Sequence, residues 1–220
     1  MSGAVALALT EMERDALTEL VNLGVSKAAV SLRGLIGHEV SLSVPRIAII
    51  PRRDAALMIG EHHATRLVAV SQVFDGDFSG RALLIFPETN SLELVRAVTG
   101  GALPLEDIVA LEQEALAETG NIILNNCLST IANTLQRTLR MSLPDVIRGD
   151  GGELFEFSGI ADADDAVLVM YINFVVNARN ITGYIAMLMD LPALRTLKEL
   201  LNDLVDRATT AIPFISHVTD

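Results

Sequence analysis

Two stretches of this chain carry the same pattern of residues 99 positions apart. They are ERDALTELVNLGVSKAAVSLRGLIGHEVSLSVPRI, from Glu13 to Ile47, and EQEALAETGNIILNNCLSTIANTLQRTLRMSLPDV, from Glu112 to Val146. In both, a Glu is followed three positions later by Asn, and a proline comes 23 positions after the Asn, as in Glu19, Asn22 and Pro45. Because similarity at one fixed offset is typical of an internal repeat, we expect two related structural units.

Each stretch begins with the pattern of a long amphipathic helix and ends with that of a strand. In the first, apolar residues recur at the helical period from Leu17 to Leu35. After Gly37 the period changes to two, with Val40, Leu42 and Val44 on one face. The helix must end before the proline, because the residue before a proline favours extended geometry. We therefore predict a long helix and then a strand in each unit.

The remaining parts of the two units also correspond. The segments from Phe78 and from Ile181 each contain a glycine, a strand pattern, a turn and an amphipathic helix. Further strands are predicted at Leu67–Phe74, Leu154–Ile160 and Ala166–Val176, and the last of these is expected to form a hairpin with the strand that follows it. Each unit is therefore expected to contribute several strands as well as helices.

The joint between the two units is short. The helical pattern breaks near Gly100 and Pro104, over too few residues for a flexible linker. We therefore expect one domain over residues 1–220, made of two repeats at about residues 11–103 and 110–208 that share one sheet. The predicted fold class is α+β, with a mainly antiparallel sheet, two long helices and pseudo-twofold symmetry.

The composition argues against several classes of protein. With 16 Lys and Arg against 28 Asp and Glu, the net charge is −12 and there is no basic block, so binding to nucleic-acid phosphates is not expected. The single cysteine, Cys127, cannot form an intramolecular disulfide. The longest apolar run, from Ala166, is shorter than the roughly 18 residues that cross a bilayer. We expect a cytoplasmic protein without membrane insertion.

Three polar residues in each predicted long helix are spaced so that they lie on one helix face. They are Asp15, Glu19 and Asn22 in the first unit, and Glu114, Glu118 and Asn121 in the second. Polar residues at this spacing most often lie on the solvent-exposed face of a helix and have no further function. Asn, however, is a poor helix former, because its amide competes for backbone hydrogen bonds. The recurrence of Asn in both units, at the same spacing from a Glu and a Pro, therefore favours a function that both units have kept.

On these residues the chain resembles the CheC, CheX and FliY family of chemotaxis phosphatases, and within it the CheC proteins with two sites. The family's signature is Asp or Ser, three residues, Glu, two residues, Asn, twenty-two residues and Pro. The first copy fits the signature at every position, with Asp15, Glu19, Asn22 and Pro45. The second copy differs at its first position, with Glu114, Glu118, Asn121 and Pro144.

The resemblance implies a phosphatase that hydrolyses the aspartyl phosphate of a response regulator similar to CheY. The receiver domain of that partner would supply Mg²⁺ and a lysine, so no cofactor or metal is expected on this chain. The Asn, Asn22 or Asn121, would orient the attacking water, and the Glu, Glu19 or Glu118, would pair with the receiver lysine. The alternative is a non-catalytic adaptor that binds a CheD-like deamidase or a response regulator.

Three other patterns suggest ion binding but lack the residues that a site needs. Glu61 and the two histidines after it have no HExxH spacing, and the acidic cluster from Asp162 lacks the glycine and the closing glutamate of a calcium loop. The glycines from Gly149 are expected to precede a strand, and so to lack the helix N-terminus of a phosphate site. We therefore predict no metal or phosphate site at these positions.

Overall fold

The computed structural model describes residues 9–61, 66–98, 105–156, 166–176 and 179–210. The first half contains α1 (Glu11–Ile36), β1 (Val40–Pro51), α2 (Arg52–Glu61), β2 (Leu67–Gly76), β3 (Gly80–Pro87) and α3 (Glu88–Val98). The second half contains α4 (Leu105–Thr134), β4 (Leu139–Met141), β5 (Asp145–Gly149), α5 (Gly151–Glu156), β6 (Ala166–Val176), β7 (Arg179–Leu188) and α6 (Leu191–Thr210). The two halves have the same order of elements if β4 and β5 together correspond to β1.

Helix α1 begins and ends at residues that cap it. The Thr10 hydroxyl accepts a hydrogen bond from the Glu13 N–H at 3.3 Å, and the Glu13 carboxylate accepts one from the Thr10 N–H at 2.6 Å. At the other end Gly37 has a φ of +72°, and its N–H donates to the Arg33 carbonyl at 2.9 Å. Glycine adopts this left-handed conformation without steric penalty, so the chain can turn there into β1.

Within the described ranges, seven strands form one sheet in the order β1-β6-β7-β3-β2-β4, and β5 also pairs with β2. The strand pairs are antiparallel. The first strand of the first half therefore pairs with the second half, and β4 and β5 pair with the first half. The predicted α+β class and the shared antiparallel sheet are confirmed, whereas the pseudo-twofold symmetry and the repeat boundaries stay predictions.

Helices cover both faces of the sheet, but not equally. The larger core lies under α1, α3, α4 and α6, with buried residues such as Leu17, Leu124 and Leu201. A smaller core on the other face is closed by α2 and α5, through residues such as Ile59 and Phe155. The two long helices that carry the candidate residues therefore lie together on the same face, since each buries its apolar stripe against the sheet.

Helices α1 and α4 approach each other closely at a glycine. A Cβ atom on Gly24 would lie 2.7 Å from the Cα of Cys127. Because this is shorter than any carbon–carbon packing distance, only glycine fits at this point of α1. Cys127 is the buried residue on the facing side of the contact, as expected for a small core residue.

Two predictions for the second half are wrong. The segment expected to be a strand from Leu154 begins inside helix α5, and Gly151 and Gly152, expected to precede a strand, are the first two residues of this helix. The physical reason is a capping box: the Glu153 N–H donates to Asp150 Oδ1 at 2.8 Å, and the Asp150 N–H donates to Glu153 Oε2 at 2.9 Å. Leu154 and Phe155 then pack beside α2, a helix that the sequence analysis did not predict.

Several other predictions fall on residues outside the described ranges. These are the break near Gly100 and Pro104, the pair His62 and His63, the end of the expected strand at Ile160 and the acidic cluster from Asp162. Among the helices of the described ranges, none has the length and apolar character needed to cross a membrane.

Candidate functional site

Each long helix exposes its carboxylates and turns its Asn partly toward the sheet. The carboxylate residues Asp15, Glu19, Glu114 and Glu118 are exposed, whereas Asn22 and Asn121 are half-buried. The three residues of each set share one helix face, because they are four and three positions apart. The Asn side chains lie deeper than a solvated outer face would require, and their contacts explain why.

Asn22 is held by the backbone of β1. Its Oδ1 accepts a hydrogen bond from the Val44 N–H at 2.9 Å, and its Nδ2 donates to the Val44 carbonyl at 3.5 Å. A backbone N–H can only donate and a carbonyl can only accept, so these two contacts fix the orientation of the carboxamide. The second N–H of Nδ2 makes no hydrogen bond within the described chain and remains available.

Pro45 explains why the Val44 backbone is available to Asn22. The pairing of β1 with β6 shifts register between Ser43 and Arg46, so Val44 and Pro45 have no partner residue in β6. Proline has no N–H to donate to a ladder, and a strand tolerates it at such an irregularity. The fixed distance from Asn to Pro in the sequence therefore has a structural cause. Pro45 interrupts the hydrogen bonding between β1 and β6 next to Val44, the residue that Asn22 binds.

Asn121 is held by side chains instead. Gln72 of β2 donates from Nε2 to Asn121 Oδ1 at 3.0 Å and to the Ser142 carbonyl at 2.9 Å. Asn125, one turn further along α4, donates from Nδ2 to the same Asn121 Oδ1 at 2.6 Å. The Oδ1 atom of Asn121 thus accepts two hydrogen bonds, and its Nδ2 makes none within the described chain.

The second proline also interrupts a strand. Residues 142–144, which include Pro144, separate β4 from β5. Within this interruption the Ser142 N–H donates to the Val73 carbonyl at 2.9 Å, and the Ser142 hydroxyl accepts from the Val73 N–H at 3.0 Å. The strand segment beside each proline therefore orients the Asn of its own half, directly in the first half and through Gln72 in the second.

The two glutamates have no partner of their own within the described chain. Neither Glu19 nor Glu118 makes a hydrogen bond or an ion pair there, and both are exposed. Glu118 lines an open groove of about 560 Å³ together with Leu35, Leu111 and Pro144. A free carboxylate beside exposed apolar side chains is suited to contact with another protein rather than to support of the fold.

The two candidate sites lie on opposite sides of the close contact between the antiparallel helices α1 and α4. Gly24 of α1 approaches Cys127 of α4, whereas Leu35, near the end of α1, lines the groove at Glu118. Leu35 follows Asn22 by 13 residues, which corresponds to ~20 Å along a helix. The structure therefore does not bring the two sets together into one composite site.

Asp15 and Glu114, the first residues of the two motif copies, make no hydrogen bond or ion pair within the described chain. The longer side chain of Glu114 therefore disturbs no contact within that part of the chain. Over the described ranges, no three His, Cys, Asp or Glu side chains are grouped as a metal site would require. The side chains brought together here are amides and carboxylates, which can position and pair with groups of a partner.

Gln72 and Asn125 were not predicted from the sequence. Asn125 lies four positions after Asn121, a spacing that makes them neighbours on a helix and could have pointed to it. Gln72 is 49 residues away from Asn121, and its only sequence signal is a large polar residue within the apolar strand LVAVSQVF.

Comparison with known proteins agrees with this structure. No protein-family model matches the chain. CheC1 of Halobacterium salinarum is 27% identical over 139 residues, 63% of this chain and 70% of that relative. The CheY-P phosphatase CheC of Bacillus subtilis is 24% identical over 144 residues, 63% of this chain and 67% of that relative.

FliY proteins are similar in both sequence and fold. The flagellar motor switch phosphatase FliY of Bacillus subtilis is 24% identical over 140 residues, which are 63% of this chain but only 36% of that relative. The crystal structure of FliY from Thermotoga maritima superposes with a TM-score of 0.72 at 18% identity, covering 90% of this chain and 99% of the FliY chain. The sequence relatives thus confirm the resemblance of this chain to the CheC and FliY family, and its fold is that of FliY.

Proposed function

We propose that this chain is a phosphatase that hydrolyses the aspartyl phosphate of a response regulator similar to CheY. Its relatives support the reaction, since Bacillus subtilis CheC is named a CheY-P phosphatase and FliY a motor switch phosphatase. The observation that carries the proposal is an exposed Glu, unpaired within the described chain, one turn before an Asn whose orientation is fixed. The fold explains the Asn and the Pro but not the Glu, which is therefore available to a partner.

The proposed reaction is a direct attack of water on the phosphoryl group. The water oxygen forms a bond to phosphorus, the bond from phosphorus to the aspartyl oxygen breaks, and the aspartate leaves as a carboxylate. One proton of the water goes to the released phosphate. Asn22 or Asn121 donates an N–H to the water oxygen and holds it in line with the breaking bond, so the contribution is one of positioning.

In this proposal the glutamates dock the partner and the partner supplies the cation. Glu19 or Glu118 forms a charge-assisted pair with a lysine beside the phosphorylated aspartate of the receiver domain. The Mg²⁺ that neutralises the phosphoryl oxygens belongs to the receiver domain, and no cofactor is assigned to this chain. Each site can engage one receiver domain, because the two sites are separate and lie on opposite sides of the contact between α1 and α4.

Substitution of the two asparagines tests the proposal. We expect Asn22→Ala and Asn121→Ala each to lower turnover to that of the remaining site. In the double variant turnover should fall by about a hundredfold, the usual cost of losing one preorganised donor. The measurement is loss of phosphate from the purified, phosphorylated regulator with and without the protein.

Two controls accompany this experiment. Because both asparagines also tie a helix to the sheet, urea unfolding must show that each variant is folded under the assay conditions. A folded double variant that works at the wild-type rate would contradict the roles of both asparagines. A regulator that loses phosphate equally fast with and without the wild-type protein would contradict the phosphatase itself and favour an adaptor.

A further inference from the structure

We propose that Gln72 and Asn125 are positioning residues of the second site, which set the orientation of the Asn121 carboxamide. Neither residue belongs to the Glu, Asn and Pro motif, and Gln72 is on a different element from Asn121. This inference rests on the proposed phosphatase function, because it names the residues that orient the Asn121 amide toward the phosphoryl group in the second site.

The orientation of Gln72 is fixed by a backbone carbonyl. Its side chain is on β2, and the residue is 1% exposed. The Ser142 carbonyl, 2.9 Å from Nε2, can only accept a hydrogen bond, so the atom that faces it must be the donor. If the amide were turned over, Oε1 would face the carbonyl oxygen and two acceptors would meet.

The fixed orientation of Gln72 then determines that of Asn121. Both hydrogens of Gln72 Nε2 are used, one toward the Ser142 carbonyl and one toward Asn121, so the facing Asn121 atom must be the acceptor Oδ1. Asn125 adds a second donor to the same oxygen at 2.6 Å. Asn121 therefore points its oxygen inward and presents both N–H groups of Nδ2 on its free side.

This orientation matters for a substrate that carries negative charge. An outward N–H can donate to the water oxygen or to a phosphoryl oxygen, whereas an outward Oδ1 would repel the phosphoryl group. The first site fixes its amide by another route, since the Val44 backbone binds both polar atoms of Asn22 and leaves one N–H of Nδ2 free. Gln72 thus replaces, in the second site, the strand backbone of the first.

The burial of Gln72 leaves one of its polar atoms without a partner. Its Oε1 atom has no hydrogen-bond partner within the described chain. A buried acceptor without a partner destabilises a fold, and an apolar residue could fill this position of an otherwise apolar strand. The hydrogen bond from Nε2 to the Ser142 carbonyl offsets part of this cost, and the one to Asn121 is what the amide adds to the second site.

The test isolates one site at a time. In an Asn22→Ala background, in which only the second site remains, Gln72→Met replaces the amide by an apolar side chain of similar length. We expect kcat to fall about tenfold, the effect of one lost orienting hydrogen bond, while KM stays the same because the docking residue Glu118 is unchanged. In an Asn121→Ala background, in which only the first site remains, the same substitution should have no effect.

A neighbouring pair of residues supplies a matched control. Asn125→Ala in the Asn22→Ala background should lower kcat as Gln72→Met does. Asn126→Ala should not, because Asn126 donates to the Ile122 carbonyl at 2.8 Å rather than to Asn121. Nuclear magnetic resonance adds a readout independent of activity: Gln72→Met should move the side-chain amide signals of Asn121 and leave those of Asn22 in place.

Three results would overturn the inference. An unchanged kcat after Gln72→Met in the Asn22→Ala background would remove the positioning role, while the activity of that background would still support the phosphatase. An equal loss in both backgrounds would show a general effect on folding and would also contradict the role. A wild-type protein without activity would contradict the proposed function, and this inference with it.

Discussion

At the scale of single residues, each site combines an amide held by hydrogen bonds with an exposed carboxylate. The carboxamides of Asn22 and Asn121 are fixed within the folded chain, so the proposed contact with a phosphoryl group would cost little conformational entropy. Glu19 and Glu118 are exposed and unpaired within the described chain, so in the proposed complex the partner would order each of them. The amide is therefore suited to the chemical step and the carboxylate to docking.

Reversal of the charge at Glu118 tests this division of roles. In the Asn22→Ala background we expect Glu118→Lys to raise KM at least tenfold with a smaller change in kcat, because a charge-assisted pair becomes a repulsion between like charges. Steady-state kinetics with the phosphorylated regulator at low ionic strength measures both constants. Glu156→Lys is the control, since Glu156 is exposed on α5, on the opposite face of the sheet. A fall in kcat with unchanged KM would assign Glu118 to the chemical step instead.

What the sequence could predict at this scale depended on whether the contact is local. Glu19 and Asn22 share a face because of helix geometry alone, which can be read from their spacing. The contact of Gln72 with Asn121 requires the register of β2 against the segment around Ser142. That register is a property of the whole sheet, so residue spacing could not reveal it.

At the scale of elements, the contact between α1 and α4 sets the relative position of the two sites. The helices meet at Gly24, where backbone lies against backbone. Gly34, in the same helix, has no packing neighbour among the described residues within 4 Å of the position that a Cβ would take. The same substitution at these two glycines therefore separates the effect of the helix contact from that of helix propensity.

We expect Gly24→Ala to lower the free energy of unfolding by about 1–3 kcal/mol, because a Cβ there forces the helices apart. Gly34→Ala should instead raise it by about 0.5–1 kcal/mol, since alanine is the better helix former. Urea denaturation of both variants and of the wild type gives these differences. If Gly24→Ala were as stable as Gly34→Ala, the close approach of the two helices would be wrong.

The elements that the sequence analysis missed are the short helices on the second face of the sheet. Helix α5 has only six residues, too few for a hydrophobic period to be recognised. The capping box of Asp150 and Glu153 was the available sequence signal for the start of this helix. The two glycines between these residues made it hard to recognise. The long helices were predictable because their apolar residues recur at the helical period over many turns.

At the scale of the whole molecule, the two halves complete one another's sheet. Strand β1 of the first half pairs with β6 of the second, while β4 and β5 of the second pair with β2 of the first. The shared sheet was predicted from the short joint between the repeats, but this exchange of strands was not, because pairing between distant segments leaves no local pattern. Both sites consequently depend on one core, and Cys127 lies in that core.

The stability of this core should depend on pH through Cys127. Burial raises the pKa of its thiol from the ordinary 9.0 to about 12. Between these two values the folded protein keeps a proton that the unfolded chain has lost, so stability is fully present below about pH 9 and falls as the pH rises toward 12.

From pH 8 to pH 10 the wild type should lose about 1.4 kcal/mol more free energy of unfolding than a Cys127→Ala variant, which has no thiol to ionise. Urea denaturation under reducing conditions at several pH values in this range measures both slopes. The comparison stops at pH 10 because burial and the neighbouring Tyr171 also raise the pKa of Tyr184, and that residue titrates in both proteins. Parallel slopes for the two proteins would mean that the Cys127 thiol is not enclosed between the two long helices.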